Sequence, residues 1–189
     1  IKRQCYEEGK NKLLAQGYQE IGMDHFALES DGMYQSFQAG TLHRNFMGYT
    51  ASKTKVMIGL GISSISDSWY SFAQNEKKLE DYYARLENNE LPVYRGHILS
   101  AEDLMIRRHI LNLMCSFQTS WAESDMQFPE LAEVLGQLEE MRDDGLLEIG
   151  PQSLRVTEQG KAFVRNICMA FDLHLKRRRP ESRIFSMTI

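Results

Sequence analysis

Apolar positions along the chain follow two kinds of pattern, and the change between them falls near residue 100. Residues 2–14 have the charged, helical spacing of a helix already under way, and Gly17 stops it. Gln19-Glu20-Ile21-Gly22-Met23-Asp24-His25-Phe26-Ala27 predicts a short strand running into a polar loop. Residues 31–39 predict a helix closed by Gly40. The run Lys55-Val56-Met57-Ile58-Gly59-Leu60-Gly61-Ile62 is apolar without alternation, the pattern of a strand buried on both faces of an α/β sheet. Leu79, Tyr82, Tyr83 and Leu86 recur at i, i+3, i+4 and i+7, so residues 76–87 predict an amphipathic helix whose stripe reads as core. Asn88-Asn89 breaks it, and Leu91-Pro92-Val93-Tyr94-Arg95-Gly96 reads as an extended connection.

Beyond residue 100 the period is helical. Ser100 is placed to cap a helix whose first turn holds Glu102 and Asp103, where carboxylates suit the helix dipole. Ile106, Ile110, Leu113 and Phe117 form its apolar face. Pro129 opens a second helix, with Leu131, Val134, Leu135, Leu138 and Met141 inward and Gly145 at its end. Leu147-Glu148-Ile149 and Leu154-Arg155-Val156 flank Gly150-Pro151-Gln152-Ser153 as a hairpin, and Thr157 can cap a last helix carrying Phe163, Ile167, Ala170 and Phe171. The expected fold class is therefore α/β plus α. Residues 1–99 are expected to form terminal βα units of a partial (β/α) barrel, and residues 100–189 a mainly helical, winged-helix-like domain.

Composition narrows the function classes. The 189 residues are 42% hydrophobic and 25% charged, enough for one large or two small cores. Net charge is -4 and pI about 5.8, so no positive field draws the chain to phosphate backbones or anionic membranes. A winged-helix order suggests DNA binding, yet between Trp121 and Gly150 the carboxylates of Glu123, Asp125, Glu130, Glu133, Glu139, Glu140, Asp143, Asp144 and Glu148 meet only Arg142. Nucleic acid is not an expected partner. The basic run Lys176-Arg177-Arg178-Arg179 reads as a solvated helix end. No apolar run is long enough to cross a bilayer and the first residues lack a signal-peptide core, so the expectation is a cytoplasmic protein with no membrane partner. The chain opens on Ile1 inside a helical pattern, which reads as a boundary cut through a longer polypeptide.

Three cysteines, Cys5, Cys115 and Cys168, lie far apart and read as reduced thiols. Five histidines (His25, His43, His97, His109, His174) show no close ligand spacing, so no metal site is expected. The segment Gly59-Leu60-Gly61-Ile62-Ser63-Ser64-Ile65-Ser66 puts a glycine-rich turn after a predicted strand, which suits close approach to a ligand and equally suits plain packing. It is not a dinucleotide fingerprint, because Ser64 stands where the third glycine belongs. In the polar, aromatic loop His43-Arg44-Asn45-Phe46-Met47-Gly48-Tyr49-Thr50, Arg44 can bind a carboxylate and Tyr49 can donate a hydrogen bond; an ordered structural connection is the plainer reading. Asp24 and His25 raise the same alternatives.

Several of these stretches resemble one family. Ile21-Gly22-Met23-Asp24-His25-Phe26-Ala27, Leu42-His43-Arg44-Asn45-Phe46-Met47-Gly48-Tyr49-Thr50, Gly59-Leu60-Gly61-Ile62-Ser63-Ser64-Ile65-Ser66, Phe72-Ala73-Gln74-Asn75, Arg107-Arg108 and Arg165-Asn166-Ile167-Cys168-Met169 are similar to the C-terminal part of the oxygen-independent coproporphyrinogen III oxidases, from about residue 17 onward. The resemblance implies a radical S-adenosylmethionine (SAM) enzyme of haem synthesis. It would decarboxylate two propionates of coproporphyrinogen III to vinyls, giving protoporphyrinogen IX, with a [4Fe-4S] cluster, SAM and an electron donor. The family's CxxxCxxC motif does not occur here, so the resemblance implies that this chain alone holds no cofactor and is inactive. It places Ile65 against SAM, with Gly61, Ser63 and Ser64 beside it, and matches His43, Arg44, Tyr49, Gln74 and Asn75 on the substrate side without assigning a catalytic residue. Asp67-Ser68-Trp69-Tyr70-Ser71 departs from the family pattern and carries no role. Two other readings are a binding or interaction module and a related haem-handling radical SAM protein.

Overall fold

The computed structural model describes residues 2–177, with side-chain burial from residue 4 onward. Arg178 and Arg179 of the basic run lie outside the described residues, as does the end of the expected second domain. Helix α1 (Lys2–Ala15) is tied to the first strand by polar contacts: the Tyr6 hydroxyl and the Lys10 ammonium donate to the two oxygens of Glu20, at 3.0 and 2.6 Å. The expected first strand is a hairpin, β1 (Tyr18–Gly22) against β2 (His25–Leu28). Asp24, in the left-handed region at φ 55°, makes the turn, a conformation that Asp tolerates better than most side chains. Asp31 caps α2 (Gly32–Gln38) by accepting from the Met33 amide, and Gly40 leaves the helix at φ 66°. The 43–50 loop is a second hairpin, β3 (His43–Asn45) with β4 (Gly48–Thr50).

The expected doubly buried strand over residues 55–62 does not form. Only Met57 bridges to Asp67, and Val56, Ile58 and Leu60 stand exposed, Leu60 at 87%. An apolar run marks surface suited to burial, but a strand also needs a neighbour in register; no other described residue pairs with this run as a strand. The sheet that does form is β5 (Ile65–Asp67), β6 (Ser71–Asn75) and β7 (Val93–Ile98), in that order and antiparallel. Residues 91–96, expected as a bare connection, thus contribute an edge strand. All strand pairs in the described sheets are antiparallel and none of the sheets closes into a barrel, so parallel βα units are not the local architecture. Helix α3 (Leu79–Glu87) is amphipathic as expected, but its stripe is not core: Leu79, Tyr83 and Leu86 are exposed.

Helix α4 (Ala101–Ser116) organises the rest. Its N-terminus is a complete capping box: the Ser100 hydroxyl accepts from the Asp103 amide, and the Asp103 carboxylate accepts from the Ser100 amide. Its C-terminus ends at Phe117, at φ 56°. One face enters the main core with Val134, Leu138, Leu147, Leu154, Ile167 and Phe171. These side chains are 0–2% exposed, and each is worth roughly 1.5–3 kcal/mol relative to an exposed position. The helix after Pro129 is broken at Leu138 into α5 (Leu131–Gln137) and α6 (Glu139–Asp143). The hairpin β9 (Leu147–Ile149) and β10 (Ser153–Val156) forms as expected, and β8 (Gln118–Ser120), not foreseen, joins it on the far side of β10. Thr157 caps the helical turns that run into α7 (Val164–Phe171): its hydroxyl accepts from the Gly160 amide at 3.2 Å and donates to the Gly145 carbonyl at 2.8 Å, and α8 (Leu173–Arg177) follows α7. The described residues thus give a mixed α/β fold of eight α-helices and small antiparallel sheets. Among them no helix is long and apolar enough to cross a membrane.

Candidate functional site

Three of the expected ligand-loop residues are locked into the glycine-rich turn by one side chain. Asn75, 8% exposed at the end of β6, points its amide Nδ2 into the turn, 3.3 Å from the Gly59 carbonyl, 3.0 Å from the Gly61 carbonyl and 3.0 Å from Ser64 Oγ. The Ser64 hydroxyl donates to the Gly61 carbonyl at 2.7 Å, and Ser66 Oγ accepts from the Gly59 amide at 3.0 Å. Gln74 Nε2 donates to the Ser63 carbonyl at 3.2 Å, while its Oε1 accepts from Arg95 at 2.9 Å. Gly59 is required by packing, since a Cβ there would lie 2.8 Å from the Ile65 carbonyl oxygen. Gly61 is required by conformation, at φ 95°. Ile65 begins β5 opposite Gln74 with its side chain half-buried. Gly61, Ser63, Ser64, Ile65, Gln74 and Asn75 therefore form one rigid unit. Replacing Asn75 by Ala should take the side-chain donor from the Gly59 carbonyl, leave Gly61 with Ser64 alone, and cost about 1–3 kcal/mol, read as a lowered urea midpoint.

The 43–50 hairpin divides its candidates. Tyr49 is structural: its hydroxyl donates to the Met114 carbonyl of α4 at 2.8 Å and accepts from the Met23 amide at 3.2 Å, and burial pushes its pKa up to about 12. Its ring fills the space that a side chain on Gly22 would need. Arg44 lies over that ring, 5.1 Å from its centroid; among the described residues it has no carboxylate partner. His25 Nδ1 donates locally, to the Met23 carbonyl at 2.7 Å, with its ring edge-on to Tyr49. His43 is different, 8% exposed and turned toward Trp69, with ring centroids 6.3 Å apart. Burial, then Arg107 and Lys53, lower its pKa, so it is a neutral imidazole near pH 7.

His43 opens onto a cleft of about 1160 Å³ between residues 53–56, the 68–70 turn and α4. Lys53 and Lys55 give it positive charge beside Glu123, Arg108 on its rim is paired with Asp125 at 2.6 Å, and Trp69 and Tyr70 give it an aromatic wall. Residues 67–71, which the sequence left without a role, build that wall. Arg107 Nη2 donates to Asp67 Oδ2 at 2.6 Å, and Nη1 to the Trp69 carbonyl at 2.9 Å. Its guanidinium stacks between Trp69 and Phe72, at 4.5 and 4.9 Å from the centroids. Asp67 also accepts from the Trp69 amide, holding that residue at φ 69°. No periodicity announces this clamp, because its members are 40 residues apart and on different elements.

With this geometry in hand, comparison with known proteins places the chain. Residues 99–163 match the HemN C-terminal domain family. A solved structure described as coproporphyrinogen III oxidase (HemN) from Escherichia coli, a radical SAM enzyme, superposes with a TM-score of 0.84 at 35% identity, over 90% of this chain and 40% of that one. The class that the chain resembles is thus that of proteins bearing a HemN C-terminal domain. The oxygen-independent coproporphyrinogen III oxidase of Escherichia coli strain K12 is 37% identical over 171 residues, 88% of this chain and 37% of the relative. That of Pseudomonas aeruginosa is 35% identical over 179 residues, 92% of this chain and 39% of the relative. Over about nine tenths of its length the chain is similar to the C-terminal part of the oxygen-independent coproporphyrinogen III oxidases. It spans about two fifths of the length of these relatives.

Radical SAM chemistry uses an iron–sulfur cluster, and the thiols present do not fit one. Cluster ligands are thiolates grouped closely enough to share one cluster. Cys5 is exposed on α1, whereas burial pushes Cys115 up to about 11 and Cys168 up to about 12, keeping both as neutral thiols packed on α4 and α7. No reaction step can be routed through a cluster on these residues.

Proposed function

We propose that the chain is the C-terminal part of an enzyme that oxidatively decarboxylates two propionates of coproporphyrinogen III to vinyls, giving protoporphyrinogen IX. The observation that carries this is the match of about nine tenths of the chain to the C-terminal part of enzymes bearing that name. In this reading residues 1–99 are the closing part of a radical SAM barrel completed by other residues, which accounts for the exposed apolar run at 56–60. The second domain, expected over residues 100–189, is winged-helix-like in its described part, residues 100–177, a reading supported by the order α4, β8, α5, β9, β10, α7. SAM, bound on a cluster-bearing part outside these residues, would supply the hydrogen-abstracting radical. The rigid turn of Gly61, Ser63 and Ser64 presents Ile65 as an apolar contact for it; the turn's own carbonyls are largely spent on Asn75, Gln74 and Ser64, which leaves side-chain packing as what it offers.

The cationic, aromatic cleft has the chemistry of a site for a flat ligand with several carboxylates. Lys53 and Lys55 attract propionates, Trp69 packs on the macrocycle, and neutral His43 offers a hydrogen bond without adding charge. The protein acts in the cytoplasm with an electron donor, and the 189-residue chain alone has no activity, since its thiols cannot form the cluster. A chimera carrying the cluster-bearing part of the Escherichia coli relative joined to this chain should form protoporphyrinogen IX anaerobically from SAM and coproporphyrinogen III. The chain alone, treated with iron and sulfide, should give neither cluster absorbance nor product. A chimera that assembles its cluster and cleaves SAM but leaves coproporphyrinogen III untouched would overturn the substrate assignment.

A further inference from the structure

His97, Asp103 and His174 come from three elements, β7, the first turn of α4 and α8, and meet at one point. His97 Nε2 lies 3.2 Å from Asp103 Oδ2 and His174 Nε2 lies 2.6 Å from Asp103 Oδ1. The three ligand atoms all fall within 4.8 Å of one another, and the two imidazoles stand perpendicular with centroids 5.7 Å apart. The carboxylate is the floor of the cluster, its side chain 9% exposed, and the half-exposed imidazoles are the walls. We propose that His97, Asp103 and His174 bind one divalent transition-metal ion of the zinc type, with solvent completing the coordination.

Four features of the geometry favour an ion over a set of plain hydrogen bonds. Two imidazole nitrogens and a carboxylate oxygen are the donor set that zinc, nickel and copper prefer, whereas magnesium and calcium favour oxygen alone. Bond lengths near 2.0–2.2 Å put neighbouring ligands of a tetrahedral ion about 3.3 Å apart. The observed separations reach that value with small rotations of side chains that are half in solvent. The carboxylate is already oriented from behind, because the Ser100 amide and hydroxyl each donate to Asp103 Oδ2 at 2.9 Å, as outer partners of metal ligands do. Finally, Arg177, on the same helix as His174, is spent on Glu102 and Glu130 rather than on Asp103.

Such an ion would clasp the edge of the β5–β6–β7 sheet to the C-terminal helix across the start of α4, stabilising the folded chain in proportion to ln(1 + [metal]/Kd). This assignment is independent of the enzymatic reading. It is tested on the untagged, full 189-residue chain, stripped with chelator and titrated with zinc chloride by calorimetry and against a chromophoric chelator. One equivalent should bind with a Kd in the micromolar range or below and raise Tm. His97→Gln and His174→Gln should each weaken binding at least tenfold while leaving the circular dichroism spectrum and metal-free Tm near those of the parent. Excess magnesium should not compete. No saturable binding, or zinc binding unchanged in the double variant and lost instead in Cys5→Ser, would overturn the proposal.

Discussion

Arg107→Met is expected to lower the stability of the folded chain by about 3–5 kcal/mol, the usual cost of removing one partner from a buried ion pair. Arg107 and Asp67 are only 12 and 9% exposed, so deleting the guanidinium strands a carboxylate that solvent reaches poorly. The loss extends past the pair. The same guanidinium holds the Trp69 carbonyl and lies against two aromatic faces, so the 67–71 turn loses its attachment to α4. Lysine keeps the charge without the planar fork, and Arg107→Lys should fall between parent and Met variant. Equilibrium urea unfolding followed by tryptophan fluorescence reads the effect. If Asp67→Asn placed in the Arg107→Met background restores no stability, the ion pair is not the cause. The Met variant should also open the aromatic wall of the cleft and weaken binding of any tetrapyrrole carboxylate there.

The second large effect is expected at His109, which is fully buried in the main core. Its Nε2 must donate to the Met126 carbonyl, at 2.9 Å, so Nδ1 is left to accept from the Thr119 hydroxyl, at 2.8 Å. The ring stacks on Phe171 at 5.3 Å and meets Phe128 edge-on at 5.6 Å. His109→Leu keeps the volume but orphans a carbonyl and a hydroxyl, at about 1–3 kcal/mol each. Burial lowers the His109 pKa, with Arg108 adding to the effect against the Met126 hydrogen bond. The folded state therefore holds a neutral ring that the unfolded state protonates near pH 6.5. A depressed pKa contributes stability that is present above the unfolded value and is lost as pH falls below it toward the folded value. Tm should be flat above about pH 7 and fall below about 6.5. His43, shifted the same way, contributes to the same slope. The slope should flatten in His109→Leu, measured by thermal melts between pH 5 and 8.

Cap, core face and turn were legible in the sequence because each is local. Ser100 and Asp103 sit three residues apart at the start of a periodic run, and the capping box follows from that spacing alone. Ile106, Leu113 and Phe117 on one face of α4, the β9–β10 hairpin and the left-handed glycines Gly40 and Gly145 are likewise fixed by neighbours within a few residues. Of the candidate site, the glycine-rich turn could be seen but not what braces it, since Asn75 arrives from the end of β6. Tyr49 could be named as a donor, but not as the donor to a helix carbonyl 65 residues on.

What the sequence by itself determined is the place of most helices and turns, though not the break at Leu138 or α8, together with the acidic balance that argues against nucleic acid and the motifs shared with the coproporphyrinogen III oxidases. The tertiary structure decided which apolar runs are buried, as the exposed 56–60 segment and the exposed stripe of α3 make plain. It also decided which charged and polar groups meet: Arg107 with Asp67, His43 with the cleft, and His97 and His174 around Asp103. The physical reason is range. Helix and turn preferences act over one or two turns of chain, whereas burial and ion pairing depend on segments far apart in sequence that only the packed fold brings within a few ångströms.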